Sequence, residues 1–267
     1  MKSKFNITVA EESDYHISSF EEEIKMFVFS GGEVQVKIPF ISSTKSYVCV
    51  NADIRDAEGI LALALIKNAI DNQEIKNVRL SMPYVPYARQ DRVCNEGEAF
   101  SLKVFCDMIN NMNFDKVYIC DPHSDVTPAL LNNVIVNPQE NCFKSVVFTS
   151  DFLLISPDAG ANKKTLALAK RLGHDTFIRA DKIRDVSNGQ IKETVVYGDV
   201  EGKKCMIVDD ICDGGATFIF LTQELKKKGA KEVYLYVTHG IFSKGKQVLY
   251  DAGIDKVYAY YDWTKND

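Results

Sequence analysis

The sequence has no Cys-x-x-Cys pair. Its seven cysteines, Cys49, Cys94, Cys106, Cys120, Cys142, Cys205 and Cys212, are scattered. Without close pairs a zinc ribbon is excluded. An odd number without a framework points to reduced thiols in a cytoplasmic setting. A basic excess is missing too: 32 Lys and Arg stand against 37 Asp and Glu, a net charge of −5. That balance excludes bulk nucleic-acid binding, which needs a basic footprint. There is no long apolar run. The longest, GILALALIKNAI, is too short and too interrupted to cross a bilayer, so no membrane partner is expected. The opening MKSKFNITVAEESDY lacks the apolar core of a signal peptide. Low-complexity tracts are absent. What is present is a 267-residue chain that is 46% hydrophobic, enough for two ordinary domains with sizeable cores.

Short apolar runs alternate with helical patterns. KNVRLSMPYV, FDKVYICDP, DFLLISPD, KKCMIVDD and KEVYLYVTH read as buried strands ending in polar or Pro/Gly corners. Between them DAEGILALALIKNAIDN, AFSLKVFCDMINNMN, NKKTLALAKRLG and TFIFLTQELKKKGA read as amphipathic helices. This rhythm predicts an α/β fold with mostly parallel sheets flanked by helices. Ligands then collect beyond the C-terminal strand ends, where the polar corners lie. NPQENCFKSVV, residues 137–147, marks a boundary dividing 1–142 from 143–267. FDKVYICDPHSD in the first half parallels KEVYLYVTHGIF in the second, which predicts two similar domains.

IVDDICDGGATF, residues 207–218, is the richest stretch. A strand ends in Asp209 and Asp210, a loop carries Asp213, Gly214 and Gly215, and a helix follows from Ala216 and Thr217. Glycines let backbone N–H groups approach an anion closely, and a helix start adds unpaired donors and partial positive charge. That half is a phosphate cradle. Carboxylates repel phosphate, but they accept from ribose hydroxyls or hold a Mg2+ that bridges to phosphate. Together they point to a phosphorylated ribose; the bland alternative is a strand–turn–helix corner with solvated carboxylates.

IVDDICDGGAT resembles the ribose-phosphate loop of the phosphoribosyl pyrophosphate synthetase (ribose-phosphate diphosphokinase) family. PYARQDR (86–92) is similar to that family's ATP-site signature, and CDPHSD (120–125) to its Asp-x-His metal segment. ISPDAGANKKTLALAKRLG (155–173) resembles its second metal-and-phosphate loop, and DKIRD (181–185) its catalytic Lys-x-Arg. FSGGE (29–33) resembles the segment that reaches a neighbouring subunit's adenine, and THGIFS (238–243) a strand-end segment late in the fold. The resemblance runs in one order from about residue 27 to about 260.

It implies two phosphoribosyltransferase-type domains, an N-terminal synthetase domain on the ATP side and a C-terminal one on the ribose-phosphate side. It also implies a homo-oligomer, Mg2+, and transfer of the terminal diphosphoryl group of ATP to ribose 5-phosphate with release of AMP. On this reading Lys182 and Arg184 are catalytic, on a mobile loop in RADKIRDVSNGQIKE; the alternative is an exposed charged turn. His123 ligates the Mg2+ that holds ATP. Asp158 takes a second Mg2+, or is simply a helix N-cap. Arg89 stacks on adenine and Gln90 reads its edge. Asp91 and Arg92 pair with each other or brace the corner. Phe29, with Glu33, contacts adenine in trans, or Phe29 is a core aromatic. Asp209, Asp210 and Asp213 hold the ribose, and Gly214, Gly215, Ala216 and Thr217 its 5-phosphate. His239 is expected to be structural.

The family's loop usually reads Asp-Thr-Gly-Gly-Thr; here it is Asp213-Gly214-Gly215-Ala216-Thr217. One hydroxyl is gone, and a methyl sits where a glycine allowed close approach. Such a loop also suits a phosphate that continues into another group, as in ADP-ribose. ICDGG and DPHSD resemble a short divergent branch associated with nicotinamide salvage, which makes NAD metabolism a setting. The sequence ends with VYAYYDWTKND, where family members continue through a further strand and helix, so the usual oligomer and nucleotide control are not expected to carry over. A non-catalytic regulatory paralogue is a third reading; it predicts eroded catalytic positions, whereas Lys182, Arg184, His123 and Asp158 are all present.

Overall fold

Apolar runs of alternating or β-branched residues form the strands, and the amphipathic segments between them form the helices. The computed structural model describes residues 3–13, 16–41, 46–149, 151–184 and 191–265, with backbone only at 10–13, 16–22, 46, 183–184 and 191–193. The chain divides into two units, Met1–Asn137 and Pro138–Asp267.

In the first unit β1 (Lys4–Ser13), β2 (His16–Glu23), β5 (Ser46–Asp53), β6 (Val78–Ser81), β7 (Lys116–Cys120) and β8 (Val134–Asn137) form one sheet in the order β2-β1-β5-β6-β7-β8. β5 to β8 run parallel, while β1 is antiparallel to both its neighbours. Every second residue of a strand faces one side, and Ile7 and Val9 of β1 are accordingly both fully buried. A separate hairpin, β3 (Lys25–Val28) and β4 (Val34–Lys37), packs through β4 on helix α1 (Ala57–Asp71). Helix α1 starts where the Asp56 side chain accepts the Gly59 N–H, and it buries Ile60, Leu63, Ile66 and Ile70 along one face. Helices α2 (Ser101–Asn111) and α3 (Val126–Leu130) complete the unit.

In the second unit α4 (Gln139–Val146) is followed by β9 (Leu153–Ser156), α5 (Asn162–Leu172), β10 (Ile178–Arg184), β11 (Ile191–Tyr197) and β12 (Lys204–Cys212). Then come α6 (Ala216–Lys227), β13 (Glu232–Gly240), α7 (Gln247–Asp251) and β14 (Lys256–Asp262). The sheet order is β11-β10-β9-β12-β13-β14, parallel except for the antiparallel β10–β11 pair. Each unit thus has parallel strands with an antiparallel hairpin at one end, the α/β class expected. Helix α4 belongs to the second core: Phe143 is fully buried, edge-on to Phe152 and Tyr236 at 6.1 and 4.7 Å. The division therefore falls ahead of the 142/143 boundary expected from sequence. None of the seven cysteines forms a disulfide. No helix among the described residues is long and apolar enough to cross a membrane.

Candidate active site

In the second unit β9, β12 and β13 are neighbours, and the polar corners follow their C-terminal ends. That is where an open α/β sheet leaves room for a ligand. Strand β12 carries Asp209 and Asp210 and runs through Cys212 into Asp213, Gly214 and Gly215. Gly215 takes the left-handed conformation, φ 80°, at the head of α6. A Cβ there would lie 2.8 Å from Leu249 Cδ2, so only glycine fits. The first bonds of α6 run from the Phe218 and Ile219 N–H groups to the Gly215 carbonyl, at 3.0 Å each. The amides of Ala216 and Thr217 precede that ladder and face the helix end, where an anion is favoured. Ala216 is exposed; Asp213, Gly214 and Thr217 are half-buried.

Three carboxylates crowd this corner. Burial, then the neighbouring charges of Asp210 and Asp158, push the Asp209 carboxyl well above the usual carboxylate range. Asp209 Oδ1 accepts the Asp210 N–H at 2.9 Å, and Lys164 Nζ of α5 donates to Asp210 Oδ2 at 3.3 Å. Asp158 has two tasks. Its Oδ1 accepts the Ala161 N–H at 3.0 Å just ahead of α5, but the N-cap of that helix is Ala161 and has no side-chain cap, so the N-cap alternative for Asp158 does not hold; its Oδ2 pairs with Lys182 Nζ at 2.6 Å. The same Lys182 ammonium donates to Thr217 Oγ1 at 3.3 Å. One lysine therefore links the second phosphate-type loop, 157–161, to the head of α6.

Lys182 does not stand on a free loop. RADKIRDVSNGQIKE is mostly two strands: Lys182 pairs across to Thr194, and Arg184 to Ile191 beyond a register shift. The loop reading of these residues is corrected on that point: the backbone amides that a loop would leave open are used by the β10–β11 ladder. The Arg184 side chain and residues 185–190 lie outside the described residues.

In the first unit the corners follow β6 and β7, again neighbours. Tyr87 is left-handed, φ 62°, and tilts on Phe105 with ring centroids 5.9 Å apart. It accepts the Gln90 N–H at 2.8 Å, turning Arg89 and Gln90 outward as exposed side chains. Asp91 is buried and Arg92 exposed, and they pair at 2.9 Å as the sequence suggests. The hydrogen bond from Arg92, against a smaller cost of burial, holds the Asp91 carboxyl below its ordinary value. In the DPHSD segment after β7 His123 is exposed, and its charge also favours ionised Asp91. Phe29 and Glu33 lie on the β3–β4 turn: the Phe29 N–H donates to the Glu33 carbonyl at 2.9 Å, and the Phe29 ring is 53% exposed. The core-aromatic alternative for Phe29 therefore does not hold.

The donor set fits Mg2+ in one way only. Among the described residues no group of three His, Cys, Asp or Glu gathers as a metal cage. His123 belongs to the first unit and Asp158 to the second. Asp158, Asp209 and Asp210 nevertheless crowd one corner of the second unit. This suits an ion that arrives with phosphate oxygens and takes one or two protein carboxylates. The sequence reading missed Lys164 and Lys244. Lys164 hides in the unremarkable NKKT start of a helix. Lys244 carries no motif signal, and only the fold brings it to the glycine loop, where its Cε would meet a Gly214 Cβ at 3.6 Å.

Residues 2–112 match the family described as the N-terminal domain of ribose phosphate pyrophosphokinase, and residues 168–260 the phosphoribosyl synthetase-associated domain. The ribose-phosphate pyrophosphokinase of Ralstonia nicotianae is 31% identical over 241 residues, spanning 86% of this chain and 74% of its own. That of Pyrococcus abyssi is 30% identical over 243 residues, 88% and 81% of the two chains. The crystal structure of phosphoribosylpyrophosphate synthetase from Mycobacterium smegmatis has the same fold, with a TM-score of 0.74 at 23% identity over 89% of this chain and 80% of that one. These similarities define the class, enzymes of the diphosphokinase-type transferases. The chain belongs to the ribose-phosphate pyrophosphokinase family.

Proposed function

We propose that the protein transfers the β,γ-diphosphoryl group of ATP to the anomeric hydroxyl of a 5-phosphorylated ribose. In the simplest case ribose 5-phosphate becomes phosphoribosyl pyrophosphate and AMP is released. The observation that carries this is the double contact of Lys182, to Asp158 at 2.6 Å and to Thr217 Oγ1 at 3.3 Å, at the head of the glycine-loop helix. A cation held there meets the charge that builds on transferring phosphate oxygens, and in phosphoryl transfer such stabilisation is most of catalysis.

On this reading residues 143–267 supply the ribose-phosphate side. Asp209, Asp210 and Asp213 accept from the ribose hydroxyls, and the amides of Gly214, Gly215, Ala216 and Thr217 bind the 5-phosphate. Lys182 and Arg184 neutralise charge on the diphosphoryl group as the acceptor oxygen attacks the β-phosphorus and AMP leaves. Residues 1–142 supply the ATP side. Arg89 stacks on adenine, Gln90 reads its edge, and His123 would ligate the Mg2+ that holds ATP, while Asp158 would take a second Mg2+. Bound Mg2+ supplies charge neutralisation on the triphosphate. The exposed Phe29, with Glu33, serves adenine in a neighbouring subunit, so a cytoplasmic homo-oligomer is part of the reading.

A second acceptor, ADP-ribose, is favoured by one observation. Ala216, exposed at the head of α6, offers a methyl and no hydroxyl to a terminal phosphate dianion. A phosphate that continues into a further group has less charge and more bulk, and the product would serve NAD resynthesis. An assay of AMP release with ATP and Mg2+ compares the two acceptors. Acceptor-dependent AMP supports the diphosphokinase reading. Its absence with both would leave the non-catalytic regulatory reading.

A further inference from the structure

Resting on that reading of the glycine loop, we propose that Lys244 is a binding residue for the phosphate end of the acceptor, supplying positive charge where the loop has lost a hydroxyl. The segment carrying it is registered onto the loop. Both the Ile241 and Phe242 N–H groups donate to the Cys212 carbonyl, at 2.9 and 3.1 Å, immediately before Asp213. Phe242 and Gly245 are left-handed, φ 49° and 73°, and the Gly245 N–H closes the turn on the Phe242 carbonyl at 2.7 Å. The Phe242 ring is buried and lies so close to Gly240 that a Cβ there would fall within 2.1 Å of it. Helix α7 follows, and its buried Leu249 fills the space beneath Gly215. The turn is therefore fixed at both ends against the cradle.

Within this frame the Lys244 stem runs along Gly214. Its Cε and Cδ lie 3.6 and 3.7 Å from where a Gly214 Cβ would be. The ammonium is one bond beyond Cε. Other lysines around the corner are engaged: Lys164 with Asp210, Lys182 with Asp158 and Lys246 with Asp262. Lys244 is exposed and, among the described residues, forms no ion pair. An ammonium on a flexible four-carbon stem is suited to a phosphate as a point charge. It can follow either a terminal phosphate or the first phosphate of a diphosphate link.

The test is Lys244→Met, which keeps the apolar stem over Gly214 and removes the charge, with Lys244→Arg as the conservative partner. Equilibrium dialysis of labelled ribose 5-phosphate reads the contact without turnover. Losing one charge-assisted bond should weaken its binding about tenfold in Lys244→Met. Lys244→Arg should stay near wild type, the KM for ATP should be unchanged, and the same ordering should appear with ADP-ribose. Ribose 5-phosphate binding within twofold of wild type in Lys244→Met would overturn the proposal. Wild-type protein that binds ribose 5-phosphate yet releases no AMP would instead sink the diphosphokinase reading while leaving Lys244 tested. Because Lys244 is exposed, both variants should keep the wild-type melting profile.

Discussion

Replacing Gly215 by alanine attacks the cradle at its most constrained residue. Gly215 sits at φ 80°, which an L-residue reaches at a cost of about 1–2 kcal/mol. The new Cβ would also stand 2.8 Å from Leu249 Cδ2, and Leu249 is buried and cannot swing aside freely. Overpacking of this kind adds about 1–3 kcal/mol, so the second unit should lose roughly 2–5 kcal/mol. Gly214 is the control. A Cβ there meets only the Lys244 stem, at an ordinary 3.6 Å. Gly214→Ala should therefore cost no more than about 0.5 kcal/mol, yet raise the acceptor KM about tenfold by holding the anion off the amides. Thermal unfolding of both variants, beside acceptor KM, makes the comparison. Equal melting profiles for Gly215→Ala and wild type, or equal losses in the two variants, would refute the argument from backbone and contact.

Lys182→Ala should lower turnover about 100- to 1000-fold, the usual effect of removing one preorganised charge-stabilising group, while ATP binding by calorimetry stays near normal; lost ATP binding together with unfolding would mark a structural lysine instead. Asp262 tests the electrostatics of the C-terminal strand. Burial alone would raise its carboxyl, but hydrogen bonds from Lys246 and Thr264 outweigh burial and hold it below the usual carboxylate value. A depressed folded-state pKa means that its stabilisation is present above the unfolded value of about 3.9 and is lost as pH falls through the folded one. The melting-temperature gap between wild type and Asp262→Asn should therefore be constant from neutral pH to about pH 5 and close below about pH 4; a gap that widens in acid would contradict the assignment.

The parallel strands were readable because each is a short apolar run stopped by a polar corner. KKCMIVDD became β12 and KEVYLYVTH became β13, with α5 and α6 following the amphipathic segments named for them. The corners that carry Asp158 and Asp209 were readable for the same reason. The β10–β11 hairpin was not. Strand β10 is mostly charged, and a run such as RADKIRD has no apolar alternation to set it apart from a charged loop. Period-two burial in KFNITVAEES was available as a signal for β1, with Ile7 and Val9 inside. Lys244 and the Lys164–Asp210 contact needed the fold itself. They join segments distant in sequence, and a lone lysine in an otherwise ordinary turn announces nothing.

The most direct test of the central claim is AMP release from ATP and Mg2+ with and without a phosphorylated ribose. The expected result is AMP formed only with acceptor, one per acceptor consumed, with a product heavier by a diphosphate. Turnover mainly on ribose 5-phosphate or mainly on ADP-ribose then decides the acceptor. No AMP with either compound, or AMP formed at the same rate without them, would contradict the account.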